Sequence, residues 1–145
     1  MDLTISKESV FEEIGKTTAY IGQKSVEDAE NSYRRIYTTN TDKDFLDRFW
    51  VEATSAITNL VKSFMVGGVS LDGDYSVNLD MPRNFDENLR DAICSHATSF
   101  VINYIIAKWS EIANKKEYEE YINNANMLLE QIKNMIFSKS RPKRR

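Results

Sequence analysis

The chain has 145 residues, 41% of them hydrophobic, which is enough for one domain around one sizeable core. No apolar run approaches the roughly 20 residues of a bilayer-crossing helix, and Met1-Asp2-Leu3-Thr4-Ile5 lacks the positive flank and apolar stretch of a secretory signal. Charge is split along the chain: residues 1–132 carry 13 basic and 22 acidic residues, net −9, whereas six basic residues and no acid occur from Lys133 onward.

Leu3 and Ile5 sit in a short alternating lead-in, and Ser6 is a fitting cap for a helix carrying Val10, Phe11, Ile14, Tyr20 and Ile21. Each interior glycine costs about 1 kcal/mol relative to alanine, which predicts a bend or break near Gly15 and an end near Gly22. Ser25 with Asp28 restarts a weakly amphipathic helix on Ala29, Tyr33, Ile36 and Tyr37. After the turn cluster Thr38-Thr39-Asn40-Thr41, Thr41 and Asp44 cap a long helix. Its apolar face is Phe45, Phe49, Trp50, Ala53, Ile57, Leu60, Val61 and Phe64.

Gly67-Gly68 is expected to stop that helix, and the period then falls from about 3.6 to 2. Val69 and Leu71 lie before Asp72-Gly73, and Tyr75, Val77, Leu79 and Met81 after it. Asp-Gly between alternating apolar runs predicts a β-hairpin, because both positions tolerate positive φ. A lone hairpin is marginal in water, so it should pack on the helices or pair with strands of another chain.

Behind Pro82, Asn84 and Glu87 form a capping-box pattern for the central helix, expected from Asn84 to Ala113. Its middle, Phe100 to Trp109, is too apolar for a one-sided stripe, so it should be covered on several sides. A very short connection, with Asn114 and Glu117 as caps, leads to a last helix that packs antiparallel to it. The face of that helix is Tyr118, Tyr121, Ile122, Ala125, Leu128, Leu129, Ile132, Ile136 and Phe137. The expected fold is mainly α: an antiparallel bundle of four to five helices on residues 1–137, with the hairpin at 69–81 inserted between the two long core helices. Residues 138–145, Ser-Lys-Ser-Arg-Pro-Lys-Arg-Arg, form an extended basic arm.

No constellation carries chemistry by spacing alone. Cys94 cannot make an internal disulfide, which fits a reducing cytoplasm, and His96 two residues on points to another helix face with no further metal ligands at suitable spacing. The carboxylate groups Glu12-Glu13, Asp42-Asp44-Asp47 and Glu117-Glu119-Glu120 fall in helix starts, where unsatisfied amides favour them. Asp72-Gly73-Asp74 lacks the remaining ligands of a calcium loop, and Gly67-Gly68 lacks the lysine and helix of a phosphate cradle. No cofactor and no catalytic residue is expected. The arm has three readings: a solubilising tail, a nucleic-acid contact, or a strand that docks on a partner protein.

Several stretches together carry a resemblance. Tyr75-Ser76-Val77-Asn78-Leu79-Asp80-Met81-Pro82-Arg83-Asn84-Phe85-Asp86 runs into a helix ending Ile105-Ile106-Ala107-Lys108-Trp109, and Asn114-Lys115-Lys116-Glu117 follows. Phe49-Trp50-Val51-Glu52-Ala53 and the closing Ile136-Phe137-Ser138-Lys139-Ser140-Arg141-Pro142-Lys143-Arg144 belong to the same set. The chain resembles small structural proteins of tailed bacteriophages, especially crAss-like and other Bacteroidales phages, and in plan the helical head–tail connector, or adaptor, proteins. The resemblance implies a homo-oligomeric ring, commonly of twelve copies, at the virion neck, built from protein made in the host cytoplasm. It joins the portal to other neck or tail proteins, and DNA passes through it without specific binding; no membrane is involved.

It further implies that Lys139, Arg141, Pro142, Lys143, Arg144 and Arg145 contact the portal or a neighbouring subunit. Val69, Leu71, Asp72, Gly73, Tyr75, Val77, Leu79 and Met81 would meet the next subunit or the tail side. The alternatives are a tail or tail-completion ring protein and, in a different class, a small helical nucleic-acid-binding or regulatory protein using the arm.

Overall fold

The computed structural model describes residues 1–28, 43–70, 73–113 and 115–137. The N-terminal strand β1 (Asp2–Ile5) leads into α1 (Lys7–Asp28). Helix α2 (Lys43–Val61) ends in a 3-10 turn at Lys62–Phe64 that passes directly into strand β2 (Met65–Ser70), and strand β3 (Tyr75–Leu79) returns. A second 3-10 turn, Glu87–Leu89, opens α3 (Arg90–Ala113), and α4 (Lys115–Ile136) follows. The described residues are thus mainly helical, four α-helices with a small antiparallel sheet of order β1-β3-β2. Among them no helix is long and apolar enough to cross a membrane.

The third strand departs from the expected lone hairpin. The lead-in pairs with β3, Leu3 opposite Val77 and Ile5 opposite Tyr75, so β3 is the central strand. Alternation then puts Leu3, Ile5, Tyr75, Val77 and Leu79 on one buried face, while Ser76 and Asn78 look outward. The chain thereby supplies from its own N-terminus part of the support that a hairpin lacks by itself. Tyr75 also ties the sheet to α2, its hydroxyl 2.9 Å from Thr58 Oγ1.

Helix α1 runs unbroken through Gly15 and Gly22, against the expected break and restart. Burial of Val10 and Ile14 against the core offsets the glycine penalty, and the Thr18 hydroxyl bonds back to Ile14 O at 2.8 Å. Its start is the one expected, with Ser9 N donating to Ser6 Oγ. A second carboxylate-type cap comes from the hairpin: Lys7 N donates to Asp74 Oδ1 at 3.0 Å. The proposed helix face Ala29, Tyr33, Ile36 and Tyr37 and the Thr41 cap lie outside the described residues.

Gly67-Gly68 does not end α2, which stops six residues earlier at Val61; both glycines belong to β2. Gly67 has φ +77 at the register irregularity between Val66 and Ser70, a conformation that β-carbon-bearing residues avoid. The central helix also starts later than the Asn84 and Glu87 pattern implies. Asp86 is the cap, accepting from Asn88 N at 3.1 Å, and Phe85 before it is buried.

Helix α3 organises the rest, contacting α1, α2, α4 and β1. Ile93, Ala97, Phe100 and Val101 are buried in its first half, and from Ile105 to Ser110 every residue except Lys108 is buried. That all-round cover is what the apolar middle demands. One residue separates α3 from α4, which folds back along it on Ala125, Ile132 and Ile136. Trp50 from α2 closes the core, its ring perpendicular to that of Phe11 with centroids 6.2 Å apart.

Candidate assembly surface

The sheet has two edges, and they are finished differently. At the β1 edge Cys94 on α3 lies alongside, its thiol 3.9 Å from Asp2 O, and burial pushes that thiol's pKa up. The half-buried thiol serves there as a weak donor to the strand. At the β2 edge no described strand follows. β2 is exposed at Val66, Gly67, Gly68 and Ser70, and the sequence from Ser63 to Leu71 contains no charge.

The C-terminal end of α4 arrives at the same place. The Phe137 ring, 53% exposed, lies 5.5 Å from that of Phe64, the residue immediately before β2. Phe64, Val66 and Phe137 thus bring apolar surface to the point where the chain leaves the described fold. Residues Lys139, Arg141, Pro142, Lys143, Arg144 and Arg145 lie outside the described residues.

The hairpin residues separate into two sets. Tyr75, Val77 and Leu79 are buried in the chain's own core, and Val69 and Met81 pack against it in part. Gly73 is exposed with φ +85, as the Asp-Gly turn requires, and Leu71 and Asp72 lie outside the described residues. A neighbour meeting this hairpin therefore meets the outer side: Val66, the two glycines, Ser70 and Asn78. Sequence reasoning missed Val66 and Phe64 because it placed them in or at the end of the helix. The alternation Val66, Gly68, Ser70 with small residues was the available sign.

Elsewhere, polar groups are engaged in local structure. Lys7 Nζ lies 3.1 Å from Asp47 Oδ1 and 5.4 Å from the centre of the Phe11 ring, in an open cleft of about 360 Å³ that Glu8, Gly73 and Asp74 also line. Tyr104 donates to Glu52 Oε2 at 3.3 Å; burial first, and the Glu52 carboxylate second, push its pKa up to about 12. The buried Ser110 hydroxyl has no hydrogen-bond partner among the described residues. His96 Nδ1 lies 2.8 Å from Ala92 O, one turn back in its own helix. No group of three or more His, Cys, Asp or Glu residues gathers among the described residues in a way that could hold a metal ion.

Compared with known proteins, the chain matches no family model, no curated protein and no solved structure.

Proposed function

We propose that the chain is a structural, non-enzymatic virion component, a head–tail connector whose copies form a ring between portal and tail and leave a passage for DNA. The sequence resemblance supplies the family. The observation that supports it is the contact of Phe137, which precedes the basic stretch in sequence, with Phe64 at the start of the outer strand β2. A ring subunit needs adjacent surfaces for neighbours above and beside it, and the exposed Val66 and Phe137 offer apolar surface for such a use.

Charge supports the same reading. A body of net −9 and a basic arm attract across subunit boundaries, whereas an acidic body repels DNA and lets it pass. In this reading the arm, from Lys139 to Arg145, meets the portal or a neighbouring subunit. The hairpin contributes its outer residues and keeps Tyr75, Val77 and Leu79 for the core.

Photo-crosslinking from position 141 in the presence of the phage's portal protein tests this. Portal adducts are expected. Adducts with tail proteins alone would replace it by the tail-ring reading, and steep salt-dependent DNA binding lost with residues 139–145 would replace it by the nucleic-acid reading.

A further inference from the structure

We draw no further inference here: the strongest candidate, the open cleft at the start of α1 where Glu8, Asp47 and Asp74 gather around Lys7 beside the Phe11 ring, is an acidic cluster already engaged with the chain's own lysine, and nothing else among the described residues points to a ligand there.

Discussion

The rings of Phe64 and Phe137 lie 5.5 Å apart at an interplanar angle of 53°, joining the end of the last helix to the start of the outer strand. Phe137 is half exposed, so this contact contributes less than a core pair; an aromatic pair adds about 0.5–1.5 kcal/mol beyond area burial, and solvent takes part of that. Phe137→Ala is expected to lower unfolding stability by under about 1 kcal/mol.

Trp109 is 3% exposed in the stretch of α3 that is covered on all sides. Trp109→Ala should cost about 3–5 kcal/mol in urea unfolding. A near-neutral result would place the indole at an assembly interface and not in the core.

The two strand glycines should respond differently. Gly67 at φ +77 holds a left-handed conformation, so Gly67→Ala is expected to cost about 1–2 kcal/mol. Gly68 has open space and no positive φ, so Gly68→Ala should fall within about 0.5 kcal/mol of neutral. Chemical denaturation of both variants decides it.

Alkaline pH should unfold the chain partly through Tyr104. Its folded pKa is raised to about 12 from 10.0, so the folded state holds the phenolic proton after the unfolded state has lost it. That contribution is fully present below pH 10 and is lost as pH rises through about 12. Buried Tyr75 is shifted in the same direction, by desolvation first. Melting temperature followed across that window should fall, and Tyr104→Phe should flatten the fall.

Much of this architecture is written in local periodicity. The α3 pattern from Leu89 to Trp109 is long enough for its period to identify it, and Asp72-Gly73 marks a turn by its own backbone preference. Ser6 announces the start of α1 because its hydroxyl acts within one turn. What stayed hidden depends on distant partners. Leu3 and Ile5 form too short an alternation to signal a strand, and only pairing with Val77 and Tyr75 makes one. Gly15 weakens a helix locally, yet burial of Val10 and Ile14 keeps α1 whole. Gly67-Gly68 has the composition of a helix stop, but α2 leaves the helical path at Val61 and the glycines serve a bulged strand. At the candidate assembly surface, the strand β3 was legible from the alternation of Tyr75, Val77 and Leu79. The nearness of Phe137 to the start of β2 was not, because it depends on the Phe64–Phe137 contact between residues distant in sequence.

The most direct test of the proposed connector reading is the molar mass of the purified protein, alone and mixed with a candidate portal protein, by light scattering behind a sizing column. That reading predicts a ring, or a stoichiometric complex with portal that disappears when residues 138–145 are removed. A monomer indifferent to portal at near-physiological salt would contradict it.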